Sequence, residues 1–131
     1  MTETNPLLEQ YHGLVNVIMN TDYTVKEYVA TERQLASTLE KLEGKVNKEH
    51  LSGITKVTKV LNSEKVMVPL ANTLGSIESK ESFDYLLNQF LDCLEDGLEE
   101  SATAEACYRA MLRIDPSRVR REGIDQHPYF L

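Results

Sequence analysis

Twelve positions, Leu7, Tyr11, Leu14, Ile18, Thr21, Val25, Tyr28, Glu32, Leu35, Leu39, Leu42 and Val46, follow one another at alternating intervals of four and three residues, and ten of them are apolar. On an α-helix that spacing sets every one of them on a single stripe, the pattern of a coiled-coil or long-bundle seam. Asn5 and Pro6 supply a start, since Asn caps well and Pro fits the first helical position. Gly44 supplies a stop. The first expectation is therefore one long seam helix over about 6–43. Such a helix is roughly 55–60 Å long at about 1.5 Å per residue, too long for a small domain unless partnered. A helical hairpin is the alternative. Asn20, Thr21 and Asp22 prefer caps and turns, and Thr24 to Glu27 reads as a capping box, which divides the segment into helices at about 6–20 and 24–43. The polar seam residues Thr21 and Glu32 weaken an isolated dimer and suit the fixing of register.

Downstream, Lys48 to Leu61 reads as a lysine-rich helix with Leu51, Ile54, Val57 and Leu61 on one face. Val66 to Ile77 carries no charge, and Pro69 disfavours a regular helix across it. Val66 to Val68 is thus read as a buried connector, with Pro69 in the first turn of a short helix. The alternative is a short β-hairpin around 56–70, turning at Asn62 to Glu64. Ser82 is expected to cap an amphipathic helix reaching about Asp96, with Phe83, Leu86, Leu87, Phe90, Leu91 and Leu94 on one face. Thr103 opens another, with Ala106, Ala110, Met111 and Ile114 inward, stopped at Asp115 and Pro116. The fold expected is all-α: a helical bundle in one domain over 1–131, with a helical C-terminal half at 69–114 and a short turn and docked tail at 116–131. The tail closes on Tyr129, Phe130 and Leu131, an ending that suits docking onto a core or a partner.

The stretch Ala104 to Ser117, reading AEACYRAMLRIDPS, resembles the second helix of a tetratricopeptide repeat in its small residues, its tyrosine and its closing Asp-Pro. The resemblance covers fourteen residues and implies a helix ending at Asp115. The expected upstream glycine is out of register and no neighbouring repeat follows. Such units need several neighbours to be stable, so family membership is not drawn from it.

At 131 residues, 41 % hydrophobic and 27 % charged, the chain has the means for one modest core. No stretch approaches the roughly 20 apolar residues of a spanning helix, and Met1 to Asn5 lacks the basic and apolar stretches of a secretory signal. Cys93 and Cys107 lack metal or redox spacing and read as small buried thiols, which points to a reducing, cytoplasmic compartment. The net charge of −7 is segregated. Glu78 to Glu105 holds nine acids and one lysine, Lys41 to Lys65 six lysines and three glutamates, and Arg109 to Arg121 five arginines and one aspartate.

Chemistry is harder to find. The glycines form no phosphate-binding loop, and the serines and threonines accompany no nucleophile elbow. Glu9 and His12 give a lone E-x-x-H, where a bundle metal site needs two such pairs. Glu95, Asp96, Glu99, Glu100 and Glu105 crowd around Gly97, a solvated acidic corner more than a divalent-cation site. No catalytic residue, cofactor or metal is expected. The function expected is a non-catalytic helical protein–protein interaction module: an adaptor, assembly subunit, chaperone-like helper or small inhibitor. Its contacts are Leu14, Ile18, Val25, Tyr28, Leu35 and Leu39 on the seam and Tyr129, Phe130 and Leu131 on the tail. Its partners are proteins, through a homo-oligomer or a larger complex. The alternative is a small nucleic-acid-binding regulator using Lys41, Lys45, Lys48, Lys56 and Lys59. A metal-dependent helical hydrolase stands behind both.

Overall fold

The computed structural model describes residues 6–20, 25–59, 63–95 and 102–126, and these form α-helices and short 3-10 turns with no strand among them. The helices are α1 (Pro6–Asn20), α2 (Val25–Leu42), α3 (Leu51–Thr55), α4 (Glu64–Gly75), α5 (Lys80–Glu95), α6 (Ala102–Ile114) and α7 (Pro116–Arg121). Turns of 3-10 helix lie at Lys48–His50, Lys56–Lys59 and Ile124–Gln126. The chain is all-α, as its periodicity indicates. Among the described residues no helix is long and apolar enough to cross a membrane.

The stripe is carried by two helices instead of one, Leu7 to Ile18 on the first and Val25 to Leu42 on the second, with Val46 beyond the second and Thr21 outside the described residues. α1 ends at Asn20, α2 begins at Val25, and the two pack against each other. This corrects the single 6–43 helix in favour of the two-helix alternative. Tyr11, Leu35, Leu39 and Leu42 are fully buried, while Leu7, Leu14, Ile18 and Val46 pack partly buried on the same apolar cluster. Each large side chain so enclosed contributes about 1.5–3 kcal/mol, and the seam obtains this burial inside the chain. α2 stops at Gly44, whose φ of 80° is a conformation that suits glycine. The Tyr11 hydroxyl donates to the Ile54 carbonyl, tying α1 to α3. Burial, and then Tyr85, hold its pKa above the usual phenol value.

Glu32, the polar seam position on α2, is also buried. Its carboxylate accepts a 2.7 Å hydrogen bond from the Ser63 hydroxyl and lies 3.8 Å from the Lys65 ammonium. Ser63 is the N-cap residue of α4, and its side chain caps no backbone N–H of that helix. Its hydroxyl serves Glu32 instead, so the polar seam residue fixes where α4 begins against α2. The adjacent Glu64 accepts from the Ala102 N–H at 3.0 Å, at the start of α6.

α4 overturns two expectations for this region. Residues 56–59 are 3-10 helix and 64–75 are α-helix, so no β-hairpin forms among the described residues of 56–70. Pro69 lies inside α4, five residues past its start, and not in its first turn. Proline there denies a donor to the carbonyl of Lys65, near the exposed beginning of the helix. The compensation is packing, since Val66, Met67, Pro69, Leu70, Ala71, Thr73, Leu74 and Gly75 are all buried. α4 lies against α2 on one side and α6 on the other. The Thr73 hydroxyl bridges the Leu39 carbonyl of α2 at 2.7 Å and the Pro69 carbonyl at 2.9 Å. At the far end a Cβ on Gly75 would stand 2.9 Å from the Ala110 Cβ and 3.2 Å from its Cα. Only a glycine lets α4 and α6 approach so closely.

α5 and α6 complete the core. Ser79 caps α5, its hydroxyl accepting from the Ser82 N–H at 3.1 Å, so the cap precedes the expected Ser82, which is itself buried. Phe83, Leu86, Phe90 and Leu94 turn inward as expected, whereas Leu87 is half-buried and Leu91 is 44 % exposed. Ala106, Ala110 and Met111 of α6 are buried. The expected helix 48–61 is α3 flanked by two 3-10 turns, begun by an Asn47 capping box in which His50 Nδ1 accepts from the Asn47 N–H. The expected basic turn after Pro116 is α7. Asp115 caps it, accepting from the Arg118 N–H at 3.0 Å, and Pro116 opens it.

Two substitutions test this arrangement. Gly75→Val is expected to cost about 1–3 kcal/mol by forcing α4 from α6, and Ala110→Gly in the same chain to restore part of the loss, both read by urea denaturation. Glu32→Ala is expected to cost about 1–3 kcal/mol by stranding the Ser63 hydroxyl, with the mutant cycle against Ser63→Ala checking that the loss belongs to this pair.

Candidate interaction surface

The seam residues expected to meet a partner divide by location. Leu35 and Leu39 are fully buried among the chain's own helices and present no surface in the single chain. Leu14 and Ile18 on α1 are half-buried. Val25 and Tyr28 belong to α2, but their side chains lie outside the described residues, as do Tyr129, Phe130 and Leu131 entirely.

One flank of α1 remains apolar toward solvent. Val17 is 45 % exposed and stands one turn beyond Leu14 and next to Ile18. Three and four residues apart are neighbours on a helix surface, so Leu14, Val17 and Ile18 form one edge where α1 leaves α2. Sequence reasoning missed Val17 because it sits off the four-three stripe.

Of the lysines, Lys41, Lys45, Lys48 and Lys56 are exposed, and the side chain of Lys59 lies outside the described residues. They are divided between the end of α2, the segment after it and the α3 region.

A second surface comes from three distant segments. A hollow of about 380 Å³ opens between the start of α5 and α7, with Phe83 and Ile114 as apolar walls and Lys80, Arg118 and Arg121 beside them. Arg118 is anchored there. Its guanidinium lies 4.1 Å from the Phe83 ring centre, donates to Asp84 of α5 at 2.6 Å and also donates to Glu122. A second hollow of about 310 Å³, reaching Val46 and Lys48, shares Glu78 and Ser79 with the first. The sequence carried the arginine cluster as a signal but nothing that joined it to Lys48 or Lys80.

The histidine of the E-x-x-H pair faces α3. A Cβ on Gly53 would come within 2.7 Å of His12 Cε1, so glycine makes room for the ring. Partial burial, then Lys56, then His50 lower the pKa of His12. Glu9 is exposed, and among the described residues no three or more His, Cys, Asp or Glu side chains gather to hold a metal. Of the acidic corner, Asp96, Glu99 and Glu100 lie outside the described residues, and Glu105 pairs with Arg109 at 2.5 Å. Cys93 and Cys107 are buried thiols. Burial, with Cys93 adding to it, pushes the Cys107 pKa up to about 12, which suppresses its thiolate.

His12 makes the stability of the α1–α3 contact depend on pH. Its folded pKa lies below the ordinary value of 6.5, so the unfolded chain binds the proton more readily. The contribution is present above 6.5 and lost as pH falls through it. Between pH 7.5 and 5.5, His12→Gln is expected to lose less melting temperature than the unaltered chain; equal losses would remove His12 from the effect.

Compared with known proteins, the chain matches no family model, no curated protein and no solved structure.

Proposed function

We propose that this chain is a non-catalytic helical protein–protein interaction module, an adaptor, assembly subunit, chaperone-like helper or small inhibitor, working in a reducing compartment such as the cytoplasm. The observation that carries the reading is the apolar edge of α1, where Leu14 and Ile18 are half-buried and Val17 projects to solvent. A single exposed valine is ordinary on a protein surface, whereas three apolar side chains close together at the margin of a packed helix offer a hydrophobic contact. The ionisable groups supply further support. Tyr11 and Cys107 owe their shifted acidity to enclosure in the core. Because Leu35 and Leu39 are enclosed by the chain's own helices, the proposed partner is a different protein and not a second copy meeting those two residues.

The second reading, nucleic-acid binding through Lys41, Lys45, Lys48, Lys56 and Lys59, draws on the exposure of the first four. Their distribution over separate segments, on a chain of net charge −7, favours solvated surface.

Light scattering during size exclusion is expected to give the 14.9 kDa monomer over a tenfold concentration range. The tagged chain is expected to recover a defined protein in fixed stoichiometry, and Val17→Asp to abolish recovery while leaving helicity and melting temperature unchanged, because Val17 is exposed. Recovery of nucleic acid alone, lost when Lys41, Lys45, Lys48 and Lys56 are reversed in charge, would sink the proposal in favour of the second reading.

A further inference from the structure

We infer that the joined hollows at the α4–α5 turn form a docking trough for an acidic, extended peptide segment of another protein that carries a bulky apolar side chain. The inference rests on the interaction-module reading but uses different residues. Charge is the first argument. The trough gathers the cations Lys48, Lys80 and Arg121, unpaired among the described residues, against Glu78 and Asp115. Arg118 is already matched by Asp84 and Glu122, which leaves a local cationic excess on a chain of net charge −7. Asp115 is further occupied, since its carboxylate accepts from the Arg118 N–H. Lys48, Lys80 and Arg121 are exposed and enter none of the ion pairs found among the described residues. They therefore attract an incoming anion without first breaking a contact.

Shape and polarity narrow the occupant. Phe83 lies 1 % exposed beneath Arg118, so the apolar surface of the wider hollow is the half-buried Ile114, flanked by cations. That arrangement suits one large apolar side chain between carboxylates. A nucleic acid fits poorly, because Phe83, the one aromatic ring among the described residues lining the trough, is covered by Arg118 and offers no face for base stacking. Glu78, standing where the two hollows meet, also interrupts any continuous phosphate track. Arg118 itself is the fixed part of the wall: its bond to Asp84 ties α7 to α5 and its bond to Glu122 fixes the guanidinium, while Lys80 and Arg121 supply the attraction.

The test uses the full chain and three fluorescein-labelled probes: a decapeptide of alternating Asp and Glu around a central Phe, the same peptide with Lys for the acids, and a ten-nucleotide uridine RNA. Fluorescence anisotropy is expected to show binding of the acidic peptide alone, weakening as salt rises. Lys80→Glu combined with Arg121→Glu is expected to weaken it by about tenfold or more, two attractions having become repulsions. Both positions are exposed, so the melting temperature should hold, and Ile114→Ser is expected to weaken binding independently of salt. Absence of binding by the acidic peptide at millimolar concentration, equal binding by the charge-reversed chain, or preference for the lysine peptide or the RNA overturns the trough. A doubling of mass on concentration that Lys80→Glu abolishes would replace the acidic peptide with a second copy of this chain. Loss of partner recovery in Val17→Asp together with indifference to the acidic peptide would keep the module and overturn only the trough.

Discussion

Everything in this chain depends on α4 being a helix, and α4 has little reason to be one by itself. It is twelve residues long and carries a proline in its interior. Isolated helices of that length are marginal even without proline. What holds it is enclosure. α2 and α6 cover its two sides, Thr73 reaches across to the Leu39 carbonyl, and Gly75 lets the Ala110 backbone come near. Polar contacts reinforce the same helix at its start, where Ser63 serves Glu32 of α2 and Glu64 serves the first N–H of α6. The helices on either side are thus positioned by a segment whose own shape they enforce.

This mutual dependence explains where sequence reasoning succeeded and where it failed. Amphipathic segments were legible: α5 and α6 bury most of the residues their periodicity names, with Leu87 and Ile114 at the margin and Leu91 toward solvent, because each buries one face only. α4 buries eight of its twelve residues and leaves the narrow face of Lys65, Val68 and Asn72 outward, so local rules about Pro69 prevail over an enclosure that no local rule can see. The four-three stripe failed differently. Both halves of a hairpin keep the phase of one long helix, so the spacing from Leu7 to Val46 is blind to whether the chain turns back after Asn20. The caps at 20–27 carried that information and were outweighed by length of pattern. At Asp115 and Pro116 the same residues that end one helix cap and open the next, and reading them only as a stop hid α7.

Surfaces were less legible than helices, for a related reason. A seam residue is conspicuous because it is apolar and periodic, and those properties are what a protein uses to fill its own core. Leu35 and Leu39 were conspicuous and are enclosed. Val17, which does face solvent, breaks the pattern and so went unnoticed. The trough is less visible still, since Lys48, Lys80 and Arg121 come from segments separated by about thirty and forty residues. Nothing short of the fold brings them side by side.

Arg118 shows how the architecture can maintain such a surface without itself being its attractant. A guanidinium stacked on an aromatic ring and bonded to two carboxylates has little charge left to project, but it has a fixed orientation. Fixed in this way, it joins α7, which is only six residues long, to α5 through Asp84 and to the chain beyond α7 through Glu122. A helix that short gains little from its own hydrogen bonds, and only Val119 among its residues is buried. The ion pairs therefore supply orientation where the core supplies little. The rigidity of one trough wall follows from charges already matched, and its attraction from charges left unmatched on either side.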